Sequence, residues 1–353
     1  MAEQMGIGII GCGNIANAYA RALAAADEVR IAGYSDLELA RAQALADTYG
    51  GRVYAGLEEM LADQTVELLV NLTIHHAHYE VTRRCLEAGR HVYSEKPLAL
   101  TTAEAKALVA LARAQGVRLA SAPSNHLGEA QQTAWKLIRE GRLGTVRVAY
   151  AEVDWGRIET WHPAPQPFYE VGPLFDVGVY PLTLLTAMFG PANRVSAYET
   201  VLLPERVTKE GQPYHLHAPD FHVVMVEFAS GPVARLTANF YVSQKTQAAG
   251  IAFHGDEASL ALGHWFLPDA SVALAPWGEG YEPAPLVQET PPGFRWERGV
   301  LDLVQAIQEG RQARVTGEQA AHVVEVLCVA RESAESGGAV PVVSTFAAPE
   351  PVW

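Results

Sequence analysis

The chain has 353 residues, 49% of them hydrophobic, enough for two domains that each bury a core. Its 26 Lys and Arg stand against 40 Asp and Glu, a net charge of −14 with no basic cluster, which argues against a nucleic-acid partner. The opening MAEQMGIGII has no basic leader and no apolar run approaches about 18 residues, so neither secretion nor membrane insertion is expected and the cytoplasm is.

GIGIIGCGNIANAYARALA, residues 6–24, is a β-branched run that stops at G-x-G-x-x-A and turns helical, with Ile15, Tyr19 and Leu23 at helical spacing. That is the strand-turn-helix opening of a dinucleotide-binding unit. Gly11 would permit the tight turn, Gly13 would clear the backbone for a pyrophosphate, and Ala16 would permit close helix packing. The helix N-terminus would offer N–H groups and a positive dipole end. Such turns also occur where a strand merely meets a helix. The next strand, VRIAGYSD (29–36), ends in Asp36, near the offset of about 20 residues at which an acid accepts ribose hydroxyls. Asp36 can also cap a helix starting near Leu37, and the two roles are compatible. An acid there repels a 2′-phosphate, so NAD is expected ahead of NADP.

GRVYA (51–55), VELLVNLTI (66–74), HVYSEKP (91–97) and VRLASAP (117–123) read as further strands separated by amphipathic stretches, hence a parallel sheet with crossover helices. Thr101 and Glu104 form a capping box before a helix that Gly116 ends. After Pro123 a helix over 127–141 leads to a strand and then to the Pro- and aromatic-rich loop 155–172, with Trp155, Trp161 and Tyr169 as anchors. FHVVMVEFASG and VARLTANFYV, joined through Ser230-Gly231-Pro232, suit an antiparallel hairpin. Two helices near the end, the second capped by Thr316 and Gln319, complete an α+β second domain. The expected division is 1–123, an α/β Rossmann domain, and 124–353, a domain for substrate and oligomerisation.

Lys96 follows Glu95 at the C-terminal end of a parallel strand, the edge where open α/β sheets bind ligands; a solvated loop lysine is the plain alternative. Gly172-Pro173 and Gly190-Pro191 bracket an apolar helix on which Asp176 and Tyr180, four apart, share a face. They read either as a catalytic pair or as a buried phenol satisfied by an acid. The histidine clusters His75, His76, His78 and His215, His217, His222 have no recognised ligand spacing, and no metal is expected. Cys12, Cys85 and Cys328, odd in number and far apart, read as reduced packing residues.

GCGNIA, NLTIHHAHYEVTRRCLEAGRHVYSEKPLA and DVGVYPLTLL together resemble the glucose-fructose oxidoreductase, inositol dehydrogenase and MocA family, in order and spacing, across nearly the whole chain. The resemblance implies an N-terminal Rossmann domain and a C-terminal domain with a large open, mostly antiparallel sheet that packs against further copies as a homodimer or homotetramer. It implies Lys96, Asp176 and Tyr180 as catalytic lysine, orienting acid and proton-transfer residue. It extends the cofactor contacts to Asn14, Ile15, Thr73, His78, Glu95 and Lys96, and places Trp161 and His162 near substrate. Many members carry a third glycine where Ala16 stands, His where Tyr180 stands and Asp where Thr183 stands. The tyrosine form is similar to the branch of xylose and dihydrodiol dehydrogenases, which implies sugars, polyols or cyclic diols as substrates. A non-catalytic sugar sensor and an NAD-dependent glycosidase are the alternatives within the same family.

Overall fold

The computed structural model describes residues 4–162, 164–243 and 249–353. They form two compact units, one of Met1–Ser124 with Arg295–Val324, the other of Asn125–Phe294 with Glu325–Trp353.

In the first unit strands β1 (Met5–Ile10), β2 (Val29–Ser35), β3 (Arg52–Val53), β4 (Leu68–Asn71), β5 (His91–Ser94) and β6 (Leu119–Ser121) alternate with helices α1 (Ala16–Ala24), α2 (Leu39–Tyr49), α3 (Leu57–Ala62), α4 (His78–Glu87) and α5 (Thr102–Gln115). All strand pairs are parallel, in the order β3-β2-β1-β4-β5-β6. This is the doubly wound order, in which the chain reverses direction between β1 and β4 and leaves a crevice at their carboxyl ends. Every residue of β1 and β4 is buried, as helices on both faces require. The capping box is present: the Thr101 hydroxyl accepts from the Glu104 N–H at 3.2 Å, and Gly116 closes α5 at φ +66.

The second unit contains helices α6 (Glu129–Arg139), α7 (Gln166–Pro173) and α8 (Val179–Phe189) and strands β7 (Val146–Asp154), β8 (Ala192–Thr200), β9 (Glu205–Val207), β10 (Pro213–His215), β11 (Phe221–Phe228), β12 (Val233–Asn239), β13 (Ile251–Gly255), β14 (Ala258–Leu262), β15 (Val272–Pro276) and β16 (Glu282–Pro283). The chain ends through α9 (Arg298–Glu309), α10 (Gly317–Ser336) and β17 (Val340–Pro341). A nine-stranded sheet runs β16-β15-β14-β13-β7-β12-β11-β8-β17, antiparallel except where β7 meets β12. The expected hairpin of β11 and β12 is there, in register from Phe221 opposite Asn239 to Glu227 opposite Val233. One face is the core, where Ala149, Val224, Leu236 and Phe253 alternate with half-exposed neighbours.

Helix α8 is apolar all round and buried except at Met188, which marks it as a core helix. The helical stretch 166–189, broken at Gly172 (φ +83), is long and apolar enough to cross a membrane by length and composition only, and 94% of its most apolar 18-residue window is buried within the chain, as in a core helix.

The domain boundary needs a correction. Residues 295–324, expected in the second domain, belong to the first unit, because α9 packs on β5 and β6 and covers a parallel sheet face that water would otherwise reach. Gly299 allows this approach: a Cβ there would stand 2.5 Å from the Tyr93 hydroxyl.

A buried charge cluster holds the aromatic loop of the second unit. The Arg206 guanidinium donates to Glu159 at 2.9 Å, to Asp220 and to the Tyr169 hydroxyl at 2.9 Å, while Tyr169 donates to Glu159 at 2.5 Å. Burial and the adjacent Glu159 carboxylate push the Tyr169 phenol well above its ordinary range, so it stays a donor. One cation thus joins β9, the loop before α7 and the start of β11. Arg206→Met, which strands two buried carboxylates, is expected to lower the unfolding free energy by about 3–5 kcal/mol in a denaturant titration.

Candidate functional site

The carboxyl edge of the first sheet carries the expected cofactor residues at the ends of four adjacent strands: Gly11 to Ala16 after β1, Asp36 after β2, Thr73 after β4, Glu95 and Lys96 after β5. Gly11 is required twice over, by its φ of +87 and by a Cβ position 2.7 Å from the Leu72 carbonyl. Gly13 differs. A Cβ there meets nothing within 4 Å, so the protein's own packing does not ask for glycine, and the turn leaves a cradle beside the start of α1. No side chain caps α1: its N-cap Ile15 makes no side-chain bond, Asn14 is exposed, and Ala16 is fully buried where the helix meets the sheet.

Asp36 serves as a brace. Its Oδ2 accepts from the Cys12 N–H and its Oδ1 from the Glu38 N–H, both at 2.7 Å, so it ties the glycine turn to the entry of α2, which starts at Leu39. A carboxylate has lone pairs for about two further donors, so the half-buried group can still receive ribose hydroxyls. Burial and Asp36 push the Cys12 thiol up to about 12, which keeps it protonated and inert.

At the end of β4 the buried Asn71 organises the next loop, although only its place after an apolar run marks it in the sequence. Its Nδ2 donates to the His78 carbonyl and the Thr82 hydroxyl, and its Oδ1 accepts from the Thr73 N–H at 3.2 Å and the Thr73 hydroxyl at 2.7 Å. His78 is buried, with Nδ1 at 2.7 Å from the Pro97 carbonyl and Nε2 at 3.0 Å from the Thr73 carbonyl. A neutral ring has one N–H for these two carbonyls, and burial opposes the second proton, pulling the pKa down to about 4. Glu95 is buried too: Oε1 accepts from the Tyr19 hydroxyl at 2.7 Å, Oε2 from the Lys96 N–H at 3.0 Å. Cofactor contact at His78 and Glu95 would therefore have to come from atoms other than these bonded ones. Their polar atoms are turned to the protein, and they shape the segment that carries the half-buried Lys96.

The fit to a dinucleotide rests on three features of this edge: the open cradle at Gly13, the helix start without a side-chain cap, and an acid with acceptor capacity to spare.

In the second unit, Asp176 lies in a π-helical turn, Leu174–Gly178, directly before α8, and Tyr180 follows in the first turn of α8. Such turns occur frequently at functional sites. Both side chains are buried, at 4% and 8% exposure. The Tyr180 ring lies 5.2 Å from Trp265 at 35° and 5.2 Å from Phe266, edge-on at 87°. Thr183, also buried, is on the same helix. Trp161 and His162 contact each other at 5.4 Å and both lie against Phe168, in the loop that Arg206 anchors. The His215 and His217 rings lie 4.5 Å apart, tilted by 54°, on the exposed β10 side, and His222 faces Glu199 at 3.2 Å. Among the described residues no three His, Cys, Asp or Glu side chains are grouped as metal ligands.

Residues 5–122 match the NAD-binding Rossmann fold of the GFO/IDH/MocA oxidoreductase family, and residues 131–261 match the GFO/IDH/MocA C-terminal domain. The chain belongs to this family. It is 28% identical over 232 residues to the trans-1,2-dihydrobenzene-1,2-diol dehydrogenase of Mus musculus, spanning 64% of this chain and 65%, just under two thirds, of that enzyme. Among solved structures it resembles a levoglucosan dehydrogenase in complex with NADH and levoglucosan (TM-score 0.85, 20% identity, 97% of this chain and 100% of that one). It also resembles the WlbA dehydrogenase of Bordetella pertussis with NADH and UDP-GlcNAcA (TM-score 0.81, 21% identity, 96% and 99%). At such identities the likeness to the solved structures is one of fold.

Two outcomes are expected. Gly11→Ala should lose about 1–3 kcal/mol of stability from backbone strain alone, whereas Gly13→Ala should keep its melting temperature and lose NAD affinity, read by calorimetric titration. The folded-state pKa of His78 lies below its unfolded value of about 6.5, so its contribution is complete above that pH and is lost as pH falls toward 4. His78→Asn should flatten the slope of stability against pH in that window.

Proposed function

We propose that the protein is an NAD-dependent dehydrogenase that oxidises a secondary alcohol of a sugar, polyol or cyclic diol, or reduces the corresponding carbonyl. The observation that carries this reading is the grouping on one sheet edge of the glycine cradle, Asp36 and Lys96 at the ends of neighbouring strands. NAD, when bound, supplies the hydride acceptor. Gly13 and the start of α1 would receive its pyrophosphate and Asp36 its ribose hydroxyls.

The protein's own task is the proton. Tyr180 takes it from the substrate hydroxyl in oxidation and returns it in reduction. An unperturbed phenol ionises near 10, too high for a base at neutral pH, so a cation must stabilise the phenolate, and Lys96, the lysine that the family resemblance marks as catalytic, is the residue proposed for that role. Asp176, one turn earlier on the same helix, orients the reacting group. The half-buried Phe266 beside Tyr180 suits the apolar face of a sugar or cyclic diol, with the buried Trp265 behind the phenol. Trp161 and His162 contribute from the aromatic loop.

A cytoplasmic homo-oligomer belongs to the same proposal. On the sheet face opposite the core, Tyr150 and Met225 both stand opposite Arg235, and Tyr198 stands opposite Val223, so one face presents exposed aromatic and thioether surface.

Turnover is read from reduced-nicotinamide absorbance with NAD and trans-1,2-dihydrobenzene-1,2-diol, levoglucosan and D-xylose. Tyr180→Phe should bind NAD as the parent does and lose about 100-fold or more in kcat; unchanged turnover would remove Tyr180 from the proton path. NAD should bind more tightly than NADP, and Asp36→Ser should narrow the gap. Equal affinities in the parent protein would overturn the role given to Asp36.

A further inference from the structure

The loop between β14 and β15 is irregular, yet it carries Trp265 and Phe266, the two rings against Tyr180. An irregular buried segment has carbonyls that no ladder satisfies, each costing about 1–3 kcal/mol if left unpaired. Here four of them are met from one neighbouring segment. The Gln131 Nε2 donates to the His264 and Leu267 carbonyls, both at 3.0 Å. The Asn125 Nδ2 donates to the Trp265 carbonyl at 2.7 Å, and the Ala130 N–H, in the first turn of α6, donates to the Pro268 carbonyl at 2.9 Å. The second N–H of Asn125 goes to the Tyr180 carbonyl at 3.1 Å, so a single carboxamide joins the Tyr180 backbone to that of the ring stacked beside it.

The acceptor halves of the two carboxamides show what they are for. Asn125 Oδ1 and Gln131 Oε1 are buried, with no hydrogen-bond partner among the described residues. The Gln131 oxygen also occupies the place of a side chain at Gly128, lying 2.2 Å from where a Cβ would be. All four N–H groups of the two carboxamides are thus aimed at Tyr180 and at the loop beside it.

We infer that Asn125 and Gln131 are positioning residues that hold the Trp265–Phe266 loop against Tyr180 and so set the pose of the proposed proton-transfer phenol toward an alcohol substrate. This rests on the function proposed above.

Asn125→Asp and Gln131→Glu keep shape and replace the donating NH2 by an oxygen that repels the same carbonyls. With trans-1,2-dihydrobenzene-1,2-diol as substrate, Asn125→Asp should lower kcat/KM at least tenfold at neutral pH. It should regain activity as pH falls, because the protonated carboxyl can again donate to one carbonyl. Gln131→Glu, which does not touch Tyr180, should raise KM more than it lowers kcat. In both variants NAD affinity should stay within twofold, and hydrogen exchange should accelerate at the amides of residues 264–267 but not in β1 to β6. Where Asn125→Asp does not fold, Asn125→Ser, with one donor left, replaces it and should lose less activity.

Kinetics, pH profile and exchange at 264–267 all within twofold of the parent would overturn the inference. So would activity lost only in step with a general loss of exchange protection across the second unit. An inactive Tyr180→Phe with normal Asn125 and Gln131 variants refutes the positioning role alone. A fully active Tyr180→Phe refutes the proton-transfer reading, and with it the pose inferred here.

Discussion

Gly11 passes so close to the backbone at Leu72 and Thr73 that no side chain fits between them, and the nucleotide edge of the first unit is assembled around that contact. Asn71 fixes Thr73 through two bonds and receives the Glu95 N–H on its own carbonyl at 2.8 Å. The His78 ring lies between the Thr73 and Pro97 carbonyls, the latter next to Lys96 in sequence. The backbone of Lys96 therefore inherits its place from the glycine turn through a series of short bonds, β1 to β4 to β5. Asn71, His78 and Glu95 in that series are buried polar groups with defined partners, the condition under which such networks rigidify rather than weaken a fold.

The second unit solves a different problem. A buried phenol and a buried carboxylate on an otherwise apolar helix need neighbours that orient them without offering water. Gly172 breaks the helical path before Pro173, and a π-helical turn then carries Asp176 into α8, while aromatic rings enclose Tyr180. The rings sit on a loop whose carbonyls are claimed by carboxamides, and the aromatic segment bearing Trp161 is tethered by one guanidinium. Rigid scaffolding behind irregular loops is the usual way in which binding loops keep a single shape.

Much of this was legible in the residues. The glycine turn, Asp36, the capping boxes at Thr101 and Thr316 and the β11–β12 hairpin rest on local rules, and local rules survive folding: the Gln319 N–H donates to the Thr316 hydroxyl at 3.1 Å as the spacing implies. What was not legible is non-local. Nothing in GVLDLVQAIQEG says which of two sheets the helix will cover, so α9 was assigned by proximity in sequence, and the structure gives it to the other unit. His78 and Glu95 stand where ligand contacts are expected, and only their partners Pro97 and Tyr19 reveal that their polar atoms face inward. Asn71, Asn125, Gln131 and Arg206 each interrupt an apolar or loop segment, a signal too common to single them out before the carbonyls and carboxylates they serve are known.

The central claim is that hydrogen moves between a substrate carbon and the nicotinamide while Tyr180 handles the proton. Its most direct test is isotopic: whichever alcohol of a sugar, polyol and cyclic-diol panel is turned over is supplied deuterated at its carbinol carbon with the protein and NAD, and the recovered dinucleotide is examined by mass spectrometry. One deuterium per reduced nicotinamide is the expected result. Product formed with no label in the dinucleotide, or substrate and dinucleotide both bound and recovered unchanged, would contradict it.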